Sequence, residues 1–195
     1  MTKAEQTRLS ILQQAFALIY RQGYQATSVD DILKRMAITK GAFFYHFKAK
    51  EDMALAMIRE LMYPGMYAAM IQPLQDAQDA VEALYTMMYR LLMVDPMFDL
   101  RYGCPAVNLV EEMAPLNEHF HQAMSELVGQ WQQAIARCLK RGKQDGKIQA
   151  QVKEQDVAVA IVSGYSGVRN LGKLQGRKCY QAYLRAYRNY LESLC

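Results

Sequence analysis

Residues 23–47 decide the fold, and they read GYQATSVDDILKRMAITKGAFFYHF. This stretch contains two short helical segments, each preceded by a residue that caps helix N-termini: Ser28 for the first and Thr39 for the second. The acidic pair that follows Ser28 favours the positive end of the first helix. Residues 36–38 predict a tight turn between the segments. Two short helices joined in this way form a helix-turn-helix unit, whose second helix can enter the major groove of DNA.

Helical periodicity also surrounds this unit. Residues 3–22 predict a longer helix, since Thr2 and Glu5 have the spacing of a capping box and Gly23 is placed to end it. No stretch alternates polar and apolar residues as a strand does. The remaining predicted helices cover about residues 50–71, 76–94 (ending before Asp95-Pro96), 104–113, 116–141, 154–172 and 176–194. The sequence therefore predicts an all-α fold with about nine helices.

The basic residues are concentrated in the first quarter of the chain. Residues 1–50 carry eight basic residues against three acidic ones, a net charge of +5. Residues 51–195 carry fifteen against sixteen, a net charge of −1. Such segregation is typical of a basic module that binds a polyanion and is attached to a neutral body. A solvated surface that is merely basic would give the same count.

Composition excludes several classes of protein. The chain has 195 residues, of which 52% are apolar and 22% are charged, so it can form one domain or two small ones and is not disordered. No apolar run approaches the roughly 18 residues of a membrane span. Residues 1–6 lack the apolar core of a signal peptide. We therefore expect a cytoplasmic protein that does not bind membranes.

Cysteine and histidine usage predicts neither a metal site nor disulfides. The four cysteines have no paired Cys-x-x-Cys spacing, and the three histidines form no metal-binding pattern with them. Free cysteines fit a reducing compartment. No glycine-rich phosphate loop is present, so no cofactor is expected.

The second helix of the helix-turn-helix unit carries suitable DNA-binding groups. Thr39 and Lys40 lie at its N-terminus, where the helix dipole attracts phosphates or base edges. Gly41 is small enough to allow close approach to DNA. The hydroxyl, imidazole and ammonium donors that follow are suited to phosphate contacts. They belong to Tyr45, His46, Lys48 and Lys50, whereas Phe44 and Phe47 are assigned to the core.

Residues 23–32 and 38–47, followed by Lys50-Glu51, resemble the N-terminal domain of TetR-family transcriptional regulators. The match covers about residues 5–65. The resemblance implies a DNA-binding domain at residues 1–50 and a helical effector-binding and dimerisation domain at residues 51–195. It also implies a homodimer that represses transcription and releases DNA when an effector binds. The DNA contacts implied by the resemblance are Ser28, Thr39, Lys40, Gly41, Tyr45, His46 and Lys50.

One position departs from the family pattern. Where the family usually has tyrosine, this chain has Phe44, so one hydroxyl contact to phosphate is missing. The neighbouring Tyr45 can supply a hydroxyl instead. The departure bears on the operator sequence rather than on DNA binding itself.

The last two predicted helices have broad apolar stripes. With the family resemblance, these stripes predict the dimer interface, as a four-helix bundle around a two-fold axis. The alternative is that the stripes face the core of their own subunit. A two-fold dimer predicts a near-palindromic operator with half-sites roughly 34–36 Å apart. The stripe residues are Ala160, Ile161, Gly164, Tyr165, Gly167, Val168 and Leu171, then Tyr180, Tyr183, Leu184, Tyr187, Tyr190, Leu191 and Leu194.

The middle helices are rich in methionine and tyrosine. These side chains suit the lining of a pocket for a small, partly apolar effector, and they suit an ordinary core equally well. The resemblance favours the pocket. Its candidate residues are Met66, Met70, Tyr89, Asn108 and Arg169.

Cys104 is a candidate sensor thiol. It lies at the predicted N-terminus of a helix and close in sequence to Arg101, and both features favour the thiolate form. Gly103-Cys104 followed by Asn108-Leu109, with an acid at 111 or 112, resembles a subgroup of the family that includes electrophile and oxidant sensors. A buried structural cysteine is the alternative.

Two other functions remain as alternatives. The first is an effector-independent architectural or cell-cycle DNA-binding protein. The second is an all-α thiol enzyme that pairs Cys104 with His119 or His121. The enzyme lacks a recognisable third orienting group, so we expect a regulator and not an enzyme.

Overall fold

The computed structural model describes residues 1–95 and 98–195, and in these ranges it contains nine helices and no strand. Seven are simple helices: α1 Lys3–Gln22, α2 Val29–Met36, α3 Lys40–His46, α6 Pro105–Met113, α7 Glu118–Gln144, α8 Glu154–Gln175 and α9 Arg177–Glu192. Helix α4 consists of the consecutive segments Lys50–Met57, Ile58–Met62, Tyr63–Met66, Tyr67–Ile71 and Gln72–Gln75. Helix α5 consists of Ala80–Tyr89 and Arg90–Val94. The predicted all-α fold is confirmed.

Local capping explains why the first helices begin and end where the sequence predicts. Thr2 and Glu5 form the predicted capping box at the start of α1, and Gly23 ends this helix with a φ of 90°. Ser28 and Asp31 form a second capping box at the start of α2. Side-chain caps of this kind satisfy main-chain N–H groups that a helix leaves unpaired.

Helix α4 is longer than predicted. It was expected to end at residue 71, before Pro73, but it continues to Gln75. Two π-helical turns, Ile58–Met62 and Tyr67–Ile71, interrupt its regular hydrogen bonding. The second of them ends at Ile71, two residues before Pro73, so the missing proline N–H falls where the α-helical pattern is already broken.

The other helices deviate from the predicted bounds by a few residues. Helix α5 begins at Ala80 rather than at residue 76, because the Asp79 carboxylate accepts a hydrogen bond from the main-chain N–H of Glu82 at 3.0 Å. It ends at Val94, directly before the predicted boundary at Asp95-Pro96. Pro96 itself, together with Met97, lies outside the described residues.

The chain forms two compact units. The head unit comprises Met1–Gly65 and Pro105–Ser125, and the body unit comprises Met66–Cys104 and Glu126–Cys195. The predicted functional boundary at residue 50 stays a prediction. In the described ranges, no helix has the combination of length and apolar character that crossing a membrane requires.

The core of the head unit joins its first three helices. Ile11, Leu12 and Ala15 of α1 are fully buried, as are Ile32 of α2 and Phe43 of α3. Burial of one such aliphatic or aromatic side chain contributes about 1.5–3 kcal/mol. The helix-turn-helix unit is therefore held by apolar contacts on one side only, which leaves the other side of α3 in solvent.

The apolar stripe of α9 faces the interior of the body unit. Tyr180, Leu184 and Leu191 are all at most 4% exposed, and Tyr165 of α8 is 2% exposed. The prediction that these stripe residues form the dimer surface is wrong for the buried members, because α8 and α9 pack within one subunit. Four other members of the predicted stripes are exposed, and for them the dimer surface stays a prediction: Ala160, Gly167 and Leu171 of α8 and Tyr190 of α9. Further exposed apolar residues of these helices are Val159, Leu174, Ala182 and Ala186.

Candidate nucleic-acid interface

Helix α3 has one buried face and one exposed face. Phe43 is fully buried and Phe47, directly after the helix, is 4% exposed. The exposed face carries residues three and four positions apart, the spacing of one side of a helix. They are Lys40, Gly41, Phe44 and Tyr45, with Lys48 following beyond the helix end. This face is the one that can enter a groove of DNA.

The predicted contact residues Ser28 and Thr39 act first as helix caps. The Ser28 hydroxyl donates to an Asp31 carboxylate oxygen at 2.6 Å and accepts from the Asp31 N–H at 3.1 Å. The Thr39 hydroxyl accepts from the Ala42 N–H at 3.2 Å. Both side chains are exposed at the ends of helices that lie next to each other in sequence, so capping leaves their outer surfaces accessible.

Lys40 and Gly41 occupy the first turn of α3. The Lys40 ammonium lies 3.8 Å from an Asp30 carboxylate oxygen, and both side chains are about two-thirds exposed. An exposed pair at this distance contributes little to stability, so the ammonium can exchange its partner for a phosphate. At Gly41, an added Cβ would meet only the Thr39 hydroxyl, at 3.9 Å. The fold itself therefore does not require glycine there.

The prediction that Phe44 belongs to the core is wrong. Its side chain is 46% exposed, and its ring packs edge-to-face on that of Phe43, with 5.3 Å between the ring centres. Phe43 and Phe47 fill the core, and the rotation of about 100° per residue turns Phe44 towards solvent. Tyr45, next along the helix, is 78% exposed, and the centre of its ring lies 4.9 Å from that of the His46 ring. Phe44 thus belongs to the exposed face of α3, which sequence reasoning missed.

Lys50 supports the loop between α1 and α2. Its ammonium donates to the main-chain oxygens of Tyr24 and Thr27, at 2.7 Å each, and lies 4.0 Å from the centre of the Tyr24 ring. Desolvation in this position lowers the pKa of Lys50. Two of its three donors are already engaged, so only the third could make the predicted phosphate contact.

Glu112 holds the same loop from α6. Its carboxylate accepts hydrogen bonds from the N–H groups of Tyr24, at 2.9 Å, and Gln25, at 2.7 Å. The ring of Phe120 in α7 packs edge-to-face on the Tyr24 ring, with 4.8 Å between the ring centres. The sequence showed an acid at this position but not its partners, because they lie 87 and 88 residues away in the chain.

We expect Glu112→Ala to destabilise the head unit by roughly 1–3 kcal/mol, since two main-chain donors lose a charged acceptor. Urea unfolding followed by circular dichroism measures this change. Glu111→Ala is the matched control, because the neighbouring Glu111 side chain is exposed. Equal stability of the two variants would show that the contact with Tyr24 and Gln25 contributes nothing.

Glu51 joins α4 to the start of α7. One of its carboxylate oxygens lies 2.6 Å from His119 Nδ1, and the other accepts from the Asn117 amide at 3.1 Å. The hydrogen bond with His119 lowers the pKa of Glu51. His119 therefore serves a structural contact within the head unit.

The candidate effector residues are distributed over both units. Asn108 belongs to the head unit, whereas the others belong to the body unit. Met70 and Arg169 are buried, Met66 is half-buried, and Tyr89 is 42% exposed. A groove of about 390 Å³ lies instead between α4 and α5 of the body unit. Its walls include Ala68, Ala69, Pro73, Ala83, Met87 and Arg90.

Cys104 directly precedes α6, as predicted, but it is only 2% exposed. Arg101, which was expected to favour the Cys104 thiolate, forms an ion pair with another residue. The Arg101 guanidinium lies 2.6 Å from the Asp99 carboxylate, and its side chain is 76% exposed. Cys104 is instead close to Tyr165, with which it interacts electrostatically in the interior of the body unit.

Two models of known protein families match this chain. Residues 11–57 match the family model described as bacterial regulatory proteins, tetR family. Residues 77–188 match the model described as tetracyclin repressor-like, C-terminal domain. The second match alone spans more than half of the chain.

Curated relatives and a solved structure agree with these matches. An HTH-type transcriptional regulator in the lacX 3′ region of Lactococcus lactis is 31% identical over 140 residues, which cover 68% of each chain. Transcriptional regulator AcuR of Cereibacter sphaeroides is 29% identical over 172 residues, covering 86% of this chain and 77% of AcuR. A TetR regulator from Chloroflexus aurantiacus has the same fold, with a TM-score of 0.87, 23% identity and coverage of 97% and 96%. The chain belongs to the TetR family and is a DNA-binding transcriptional regulator, not an enzyme.

Proposed function

We propose that this protein is a homodimeric repressor that binds a near-palindromic operator and leaves it when an effector binds the body unit. The observation that carries the proposal is the exposed face of α3, where Lys40, Gly41, Phe44 and Tyr45 stand opposite a buried aromatic face. The net charge of +5 in residues 1–50 supports it, since lysine and arginine provide the sequence-independent part of DNA affinity. A regulator of chromosomal genes acts in the cytoplasm.

The roles on α3 divide by chemistry. Lys40, with its exposed ammonium, is suited to a phosphate or to a guanine edge. Phe44 is suited to the methyl group of thymine, and the Tyr45 hydroxyl to a phosphate oxygen. His46 follows on the same helix and is half-buried. Ser28 and Thr39 contribute through the surfaces that capping leaves exposed.

The dimer surface in this proposal is the exposed side of α8 and α9. Gly167 supports it, because an added Cβ at this position would meet no atom of its own chain within 4 Å. The glycine costs the helix about 1 kcal/mol relative to alanine, and a second helix that approaches closely explains its use. Leu171 and Leu174, 47% and 85% exposed, extend the same side of α8.

The effector site belongs to the body unit in this proposal. The groove of about 390 Å³ between α4 and α5 has the volume of a small-molecule site. Cys104 offers a second route, through modification of its thiol by an electrophile. Because the thiol is 2% exposed, such a reagent reaches it only when the body unit opens locally.

Selection of genomic fragments by the purified protein tests this proposal. We expect enrichment of sites with two half-sites roughly 34–36 Å apart, with an affinity that falls steeply as salt increases. Fragments without two-fold symmetry would contradict the dimer, and no enrichment would contradict DNA-binding by α3. With the operator in hand, release by small molecules is compared between the wild type and Cys104→Ser. DNA binding that no compound alters would favour an effector-independent protein.

A further inference from the structure

The body unit buries a cation without an acidic partner. Arg169 of α8 is 1% exposed, and no carboxylate of the described residues lies within 4 Å of its guanidinium. A buried charge is costly unless an opposite charge or several hydrogen bonds compensate for it. Burial of the Arg169 guanidinium is therefore energetically unfavourable unless other groups compensate its charge.

Neutral groups compensate only part of this charge. One guanidinium nitrogen donates to the main-chain oxygen of Leu91, and another lies 3.4 Å from the Tyr180 hydroxyl. The guanidinium carbon lies 4.8 Å from the centre of the Phe98 ring and 5.1 Å from that of Tyr165. Nε, however, has no hydrogen-bond partner within the parts of the chain that the structure describes.

A second unmatched group lies beside it. The Tyr165 hydroxyl is buried and, like Nε, has no hydrogen-bond partner of good geometry among the described residues, although the Cys104 thiol and the Arg169 guanidinium are its polar neighbours. Tyr165 and Arg169 are four positions apart on α8, so they share one side of this helix. Burial raises the pKa of Tyr165 well above its ordinary value, so the hydroxyl remains a donor at neutral pH. Two donors, Arg169 Nε and the Tyr165 hydroxyl, therefore lie on one side of α8 without an acceptor of good geometry among the described residues, and no carboxylate there balances the guanidinium charge.

We propose that Arg169 and Tyr165 bind the carboxylate group of a small anionic effector in the body unit. The planar guanidinium matches the geometry of a carboxylate, and the negative charge compensates the buried cation. Leu91, whose main-chain oxygen accepts from Arg169, also lines the groove of about 390 Å³ between α4 and α5, which has room for the rest of a small molecule. This inference rests on the proposed function, in which the body unit binds the effector, and it assigns the effector a chemical class.

Thermal unfolding of the full chain tests the site directly. The probes are sodium acetate, propionate and benzoate, each compared with its neutral amide, at an ionic strength held constant with sodium chloride. We expect the carboxylates to raise the Tm of the wild type in a concentration-dependent manner, since a ligand stabilises the state that binds it. The amides should leave the Tm unchanged.

Two variants and one control assign the effect to residues. Tyr165→Phe should fold like the wild type, since its hydroxyl makes no hydrogen bond of good geometry within residues 1–95 and 98–195, and should weaken carboxylate binding roughly tenfold. Arg169→Met should abolish binding while the protein stays folded, because the unpaired charge is removed. Tyr187→Phe is the matched control, since the Tyr187 hydroxyl is also buried and has no hydrogen-bond partner in the described part of the chain, but lies on α9. Its carboxylate affinity should equal that of the wild type.

The outcomes separate this inference from the proposed function. No stabilisation of the wild type by any carboxylate, or equal stabilisation of the wild type and Arg169→Met, would overturn the inference. Release of operator DNA by neutral compounds alone would overturn it too, while leaving the proposed repressor intact. Carboxylates that bind through Arg169 without affecting DNA binding would support the anion site and contradict its role as an effector site.

Discussion

Replacing Phe43 by alanine is expected to unfold the head unit, whereas the same change at Phe44 should leave the fold intact and weaken operator binding about tenfold. Phe43 is fully buried in the core that joins α1, α2 and α3. Loss of a buried phenyl ring costs about 3–5 kcal/mol, a large part of the roughly 5–15 kcal/mol that stabilise an ordinary domain. Phe44 is 46% exposed, so its ring contributes mainly to the DNA contact.

Two measurements separate these effects. Urea unfolding reports the stability of each variant, and fluorescence anisotropy with labelled operator reports its affinity. Phe44→Tyr is an informative companion, since it restores the hydroxyl that the family usually has at this position and should not weaken binding. A Phe44→Ala protein that is as destabilised as Phe43→Ala would contradict the assignment of Phe44 to the interface.

Gly167→Arg is expected to convert the dimer into monomers and to lower operator affinity by about a hundredfold or more. The new side chain would project from the exposed side of α8, where the proposed partner helix approaches. Two linked DNA-binding modules bind far more tightly than one, because the second binds at a high effective concentration. Sedimentation velocity measures the oligomeric state, and anisotropy measures the affinity.

Gly129→Arg is the control for this variant. Gly129 also lies within a helix, α7, and an added Cβ there would meet no atom within 4 Å. It is outside the last two helices, so the variant should remain dimeric and bind DNA like the wild type. A Gly167→Arg protein that is still dimeric would refute the proposed surface.

The helix-turn-helix unit was predictable because its signals are local. Capping residues such as Ser28 and Thr39, the turn at 36–38 and the terminating Gly23 act within a few residues of the chain. The positions of α1, α2 and α3 follow from them almost residue by residue. The length of α4 was not predictable in this way. Its π-helical turns accommodate Pro73, which the sequence indicates as the end of a helix.

Apolar periodicity gave less information about the body unit. A stripe of tyrosines and leucines shows that one side of α9 is covered, but the stripe is the same whether its own subunit or a partner covers it. The structure places Tyr180, Leu184 and Leu191 in the interior of one subunit. The methionines and tyrosines of the middle helices were ambiguous for the same reason, and none of the candidate effector residues lines the groove between α4 and α5.

The sequence by itself determined the family, the helical fold and the basic DNA-binding module, because motif spacing, caps and charge are properties of neighbouring residues. Tertiary structure alone decided which residues meet across long stretches of chain. In the folded chain, Glu112 contacts the loop after α1. Phe44 is exposed to solvent, and Arg169 is buried without an acidic partner among the described residues. The physical reason is that the choice of partner depends on packing between distant segments, and apolar periodicity shows that one side of a helix is covered but not which segment covers it.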